Sequence, residues 1–312
     1  MNLTQKKILV AIDGSDQSLD AVRYVGRVLA SQKIEVVLFH VLREMEDSFR
    51  DMGMDTAFLR WISGGSSREI YQEKREERFM NHARQILLDA GFPKEAVTVN
   101  IHESKVGVAR DIITESKGGY SAIVLGRKGL SKIHDLVLGS IANKLIEKLA
   151  HVPVWVVGGN PDSEKILLAL DASQEAMKAV DHVGTMLGDS TFRVTLLHVV
   201  RDIDTFQKED ENSSTKEQEE WLKEAKLVMR PVFEEARFRL IDADFDPSVV
   251  TTRLITGASS RAGTIVEVSK HGGYGSIIIG RRGKSKIEEF VMGSVSNKVI
   301  HLAKDMAVWI VS

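Results

Sequence analysis

Two stretches of the chain, GRKGLSKIHDLVLGS (126–140) and GRRGKSKIEEFVMGS (280–294), set glycines, cations and a serine at one spacing. Glycine permits a tight bend and lets main-chain amides approach a ligand with no β-carbon in the way. Gly126 and Gly129 open the first copy, with positive charge from Arg127, Lys128 and Lys132. Gly280 and Gly283 open the second, with Arg281, Arg282, Lys284 and Lys286. Each copy ends on a pair, Gly139–Ser140 or Gly293–Ser294, that leads into an amphipathic helical pattern. At a helix N-terminus the unpaired N–H groups and the dipole favour an anion, and a serine hydroxyl adds a donor. The chemistry this set suits is the cradling of a phosphate. It is neither the P-loop, which ends in lysine followed by Ser or Thr, nor G-x-G-x-x-G. The alternative is a strand-to-helix turn with a solvated surface.

Asp13 and Asp171 form a second candidate pair, each directly after an apolar run (VAIDGS, LALDAS) and just before a helical pattern. In open α/β sheets ligands gather outside the carboxyl ends of the strands, where strand order reverses. A carboxylate there can accept from ribose hydroxyls or hold Mg²⁺ against phosphate oxygens. It can also cap the following helix, a task Ser15 and Ser173 could perform as well. Nothing points to a strong catalyst. The nine histidines show no metal-binding spacing, and His40 and His198, which recur at the end of the second apolar run, read as structural hydrogen-bonding groups. With no cysteine, disulfides, thiolate chemistry and cysteine-ligated zinc are excluded.

The elements that must position these residues come as a duplication. The segment ILVAIDGSDQSLDAVRYVGRVLA (8–30) aligns without gaps to ILLALDASQEAMKAVDHVGTMLG (166–188), and GGYSAIVLGRKGLSKI matches GGYGSIIIGRRGKSKI. The middles, around 45–105 and 203–257, do not align by eye. Domains of 1–158 and 159–312 follow, joined through GGNPDSE. In each half short apolar runs alternate with helical patterns, the signature of an α/β sandwich on a parallel sheet. The charged segments 43–70 and 203–220 read either as surface loops leading into a solvated helix or as a lid or partner-binding element. A net charge of −2 gives no reason to expect nucleic-acid or membrane binding. The N-terminal apolar run is too short for a signal peptide and no run is long enough for a membrane span, so the expected location is cytoplasmic.

With these motifs assembled, the chain resembles a tandem universal stress protein, two UspA-type domains in one polypeptide. The family's nucleotide signature, G-x2-G-x9-G-[ST], is satisfied by Gly126, Gly129, Gly139 and Ser140, and again by Gly280, Gly283, Gly293 and Ser294. The resemblance implies two Rossmann-like, five-stranded parallel sheets of order 3-2-1-4-5 with helices on both faces. It implies ATP or AMP at the carboxyl ends of strands one and four, in a regulatory module of the stress response, where Asp13 and Asp171 are the positions already read as able to hold Mg²⁺. Ala11, Ile12, Asp13, Val41 and Ile141 would line the nucleotide in the first half, and Leu170, Asp171, Val199 and Val295 in the second. It further implies that the halves pair through their last strands, and it is compatible with a homodimer of whole chains. A slow ATPase or autophosphorylating switch, and a nucleotide-independent interaction scaffold, are the competing readings. Two departures bear on the second site: Ala172 replaces Gly14, and Glu288–Glu289 replaces His134–Asp135. The added acid favours tighter binding in the first domain.

Overall fold

The computed structural model describes residues 6–30, 32–42, 67–129, 138–201, 214–283 and 292–312. By its internal contacts the chain divides into two compact units, Met1–Val152 and Pro153–Ser312.

The first unit alternates strand and helix: β1 (Lys6–Ile12), α1 (Asp16–Leu29), β2 (Ile34–Leu42), α2 (Ser67–Asp89), β3 (Val97–Glu103), α3 (Val108–Glu115), β4 (Ala122–Gly126) and α4 (Ser140–Lys148). All three strand pairings are parallel and give the order β3-β2-β1-β4. The central strands are apolar because they are covered: Ile8, Leu9 and Val10 of β1 and Ala122, Ile123 and Val124 of β4 are all fully buried. At the edge, β3 is less covered and exposes Thr98, Ile101 and Glu103. Ser15 caps α1 by accepting from Ser18 N, Asp16 in the first turn complements the helix dipole, and the helix buries Leu19, Val22, Val25 and Leu29.

The second unit begins with β5 (Val154–Val157) and repeats the alternation: β6 (Lys165–Ala169), α5 (Gln174–Leu187), β7 (Arg193–Arg201), α6 (Ser214–Asp242), β8 (Val250–Ala258), α7 (Arg261–Gly272), β9 (Ser276–Gly280), α8 (Ser294–Leu302) and β10 (Ala307–Val311). Parallel pairings give the order β8-β7-β6-β9-β10, and β5 runs antiparallel along β10. The strand that closes the first sequence repeat is thus grouped with the second unit. Its register sets Trp155 opposite Trp309, with the rings stacked at 3.6 Å and 3° and both fully buried. Trp155 Nε1 donates to His182 Nε2 over 3.0 Å.

The structure also aligns the middles that the sequence leaves unmatched. Arg84 of α2 donates to Lys94 O, and Arg237 of α6 donates to Pro247 O. A β-carbon on Gly26 would meet Ala90 Cβ at 3.0 Å, and one on Gly184 would meet Ala243 Cβ at 2.8 Å. Arg84, Ala90 and Lys94 match Arg237, Ala243 and Pro247 at one constant offset, five residues shorter than the offset between Gly26 and Gly184. In both units a glycine lets the first helix approach the second closely, and the α2-to-α6 match makes Met229 the counterpart of Glu76.

Candidate functional site

Because β1 pairs with β4, Ala11 beside Leu125, the turn after β1 and the glycine loop after β4 emerge side by side. Asp13 Oδ1 accepts from both Ser15 N (3.1 Å) and Ser15 Oγ (2.6 Å), while Ser15 Oγ accepts from Ser18 N at 3.2 Å. The serine caps α1 and the aspartate braces the serine. The N-cap of α1 is thus Ser15 and not Asp13. Its second oxygen, Oδ2, faces Gly129 so closely that a β-carbon there would overlap it. A β-carbon on Gly126 would stand 2.7 Å from Gln17 O. Both glycines are therefore required by close approach, one to a carboxylate and the other to a helix turn.

The far end of the loop returns to the same place, since Gly139 N donates to Arg127 O over 2.8 Å. Gly139 is the N-cap of α4 and offers no side-chain cap hydrogen bond, unlike Ser15 on α1. Ser140, first in the helix, is exposed. An uncapped helix start, an exposed hydroxyl, a half-exposed Lys128 and a carboxylate oxygen converge on one edge of the sheet, an arrangement suited to an anion with a neighbouring hydroxyl or cation.

The second unit repeats this geometry. Asp171 Oδ1 accepts from Ser173 N (3.1 Å) and from Ser173 Oγ, and Asp171 Oδ2 lies against Gly283. Gly293 N donates to Arg281 O at 2.9 Å, Gly293 is an uncapped N-cap of α8, and Ser294 is exposed. Ser296 Oγ ties the helix down by donating to Gly280 O at 2.8 Å. Gly14 holds the left-handed φ of +84°, whereas Ala172 is not among the described non-glycine residues with positive φ, which are Asp189 and Asp244. The turn has relaxed where its glycine is missing.

The remaining expected residues divide by depth. Ile12 and Leu170 are each 4% exposed, and their carbonyls accept from His40 Nδ1 (2.7 Å) and His198 Nδ1 (2.6 Å). The two histidines thus serve structurally, as their strand-end position suggests. Val41 and Val199 lie inside β2 and β7, paired with His102 of β3 and Ile255 of β8. Ala11, Ile141 and Val295 are half-buried. Arg127 and Arg281 are 4% and 0% exposed, which leaves Lys128 and Arg282 as the half-exposed cations among the described loop residues. Lys132, Lys284, Lys286, His134–Asp135 and Glu288–Glu289 lie outside the described residues, as do 43–66 and 203–213 of the two charged segments.

Two acidic residues escape sequence reasoning. Glu76 Oε2 lies 3.4 Å from His40 Nε2, an ion pair whenever the imidazole carries its second proton, and it would be 3.9 Å from a β-carbon on Gly14. No sequence signal reveals it, because α2 does not align with its counterpart by eye. Glu175 Oε1 lies 3.8 Å from Arg282 Nη2. That one was readable, since position 175 aligns without gaps to Gln17. An open groove of about 580 Å³ also begins at Ala172 and Ser173 and runs between α5 and α6 past Met177, Pro231 and Arg239, but the 280–283 loop does not line it. Among the described residues no three His, Asp or Glu side chains converge on a metal position, and no helix is long and apolar enough to cross a membrane.

Comparison with known proteins sets this geometry in context. The model of the universal stress protein family matches residues 4–158 and again 163–311. A universal stress protein of Mycolicibacterium smegmatis is 24% identical over 307 residues, covering 96% of this chain and 95% of its own length. One from Methanocaldococcus jannaschii is 29% identical over 167 residues, which is 50% of this chain and 97% of that protein. The crystal structure of a universal stress protein from Archaeoglobus fulgidus superposes with a TM-score of 0.61 at 18% identity, covering 99% of this chain and 98% of that one.

Proposed function

The chain belongs to the universal stress protein family, and from that premise we propose that each half binds an adenine nucleotide and that occupancy is what the protein reports to the stress response. The observation that supports this most directly is the contact between the strand-one aspartate and the second glycine of the signature, present twice: Asp13 against Gly129 and Asp171 against Gly283. The phosphates would lie on the uncapped starts of α4 and α8, donated to by main-chain amides and by Ser140 or Ser294. Ala11, Ile12 and Val41, or Leu170 and Val199, would flank the adenosine, with Ile141 or Val295 along its other side. One carboxylate per site is a fitting donor set for Mg²⁺ carried in on phosphate, because that ion keeps most of its shell from water and phosphate oxygens. Asp13 Oδ2 and Asp171 Oδ2 would hold it, and the ion would offset the charge between carboxylate and phosphate.

The repeat boundary is proposed at 158/159. The antiparallel register of β5 on β10 supports pairing of the two repeats through their final strands, which would cover edges that otherwise invite association.

A thermal shift with ATP, ADP and AMP, with and without Mg²⁺, tests the nucleotide reading. Ligand at about 100-fold above Kd adds about 2.7 kcal/mol, a shift of about 5–10 °C for domains of this size. No shift at millimolar nucleotide, in protein shown by mass spectrometry to carry none already, would defeat the reading.

A further inference from the structure

The two sites differ at the first turn of the helix over which the glycine loop folds. In the second unit this turn bears Glu175, two residues after the cap Ser173, and Gly280 lies directly over it: a β-carbon on Gly280 would stand 2.9 Å from the Glu175 carbonyl carbon and 3.1 Å from its Cβ. The carboxylate reaches Arg282, a half-exposed cation of the loop, at 3.8 Å, with the two side chains 22% and 25% exposed. The loop and the helix start thus bring their own anion to the place where a ligand's phosphates would come. In the first unit the same contact exists, Gly126 over the Gln17 carbonyl, but position 17 is an amide and contributes no carboxylate. The extra acid of the first unit, Glu76, lies by the turn after β1, 3.9 Å from where a β-carbon on Gly14 would stand, and not on the helix turn beneath the β4 loop. It faces His40 of β2, on the side of β1 opposite the β4 loop.

We infer that Glu175 makes the second site discriminate against long phosphate chains, so that the first site takes nucleoside triphosphate while the second favours nucleoside monophosphate. The inference rests on the nucleotide reading above. Glu175 acts in two ways, by engaging the guanidinium that would otherwise meet a phosphate and by repelling an incoming polyanion. Both effects grow with the number of phosphate charges, and partial burial keeps them from being fully screened.

Equilibrium dialysis of the full chain with labelled ATP and labelled AMP tests this. In the unmodified chain two classes of ATP site are expected, one weaker, with AMP distinguishing them less. Glu175→Gln should tighten the weaker ATP class by about five- to tenfold, the scale of one partly exposed charge interaction, and move AMP less. Gln17→Glu should produce the converse loss in the tighter class. If both variants leave the ATP-to-AMP ratio of every class unchanged, this inference is overturned while the nucleotide reading stands. If the unmodified chain binds neither nucleotide, both are overturned. Both substitutions are near-isosteric and lie in a helical first turn that tolerates either residue, and circular dichroism before dialysis confirms that each variant is folded.

Discussion

At the scale of single residues, the site turns on contacts that leave no room for a β-carbon. Asp13 and Asp171 each present one oxygen to a cap serine and the other to a glycine. A methyl group at that glycine would have to displace the carboxylate, the loop or both. Gly129→Ala should therefore remove nucleotide binding at the first site, and Gly283→Ala at the second, each lowering the stoichiometry measured by calorimetry from two sites to one. Neither position lies in a strand or helix of the sheet units, so far-ultraviolet circular dichroism should change little. Retention of two sites in both variants would refute the assignment of the aspartate–glycine contact to ligand binding.

At the scale of elements, the repeated unit is a helix pair held close by a missing side chain. Gly184 of α5 admits Ala243 at the end of α6, as Gly26 of α1 admits Ala90 after α2. The approach brings Arg239 Nη1 of α6 within 2.9 Å of Asp181 Oδ2 of α5. Gly184→Val puts two methyls and a branch point into a space with no vacancy. Overpacking of this kind costs about 1–3 kcal/mol, which exceeds what is gained by removing glycine from a helix interior, about 1 kcal/mol at most. The expected outcome is a lower denaturation midpoint in urea with an unchanged slope, and a midpoint equal to or above that of the parent would contradict the packing argument.

At the scale of the whole molecule, the most unusual titrating group is His182. Burial alone lowers its pKa from 6.5 to about 3, and its Nε2 is used as an acceptor from Trp155 beside the stacked Trp155–Trp309 pair. The imidazole is neutral in the fold and binds a proton in the unfolded chain below pH 6.5. The unfolded state therefore holds more protons across the window from about 3 to 6.5, and stability from this group falls as pH falls through it. Lowering the pH from 7 to 5 should cost about 2 kcal/mol from this one residue, at 1.36 kcal/mol per pH unit below 6.5. Denaturation midpoints at the two pH values should show the drop, and His182→Gln should flatten it. A parent and variant with the same pH slope would contradict this account.

Much of the fold was legible because its signals are local. Apolar runs at ILVAI and AIVLG each lie within a short stretch of chain, and the duplication doubled every signal. The signature glycines and the place of Asp13 and Asp171 after the first apolar run were also readable from the sequence. Three things were not. The capping role of Ser15 over Asp13 depends on side-chain geometry that either residue type permits. The burial of Arg127 and Arg281 depends on what surrounds the loop, which residue type alone does not report. Glu76 reaches His40 only through the docking of α2 on the sheet. The sequence alone determined a duplicated α/β chain with two glycine loops at strand ends, because periodicity and spacing are properties of the chain itself. Only the tertiary structure decided which carboxylate oxygen faces which glycine and where each acid sits, because those are distances between segments that the chain brings together by packing.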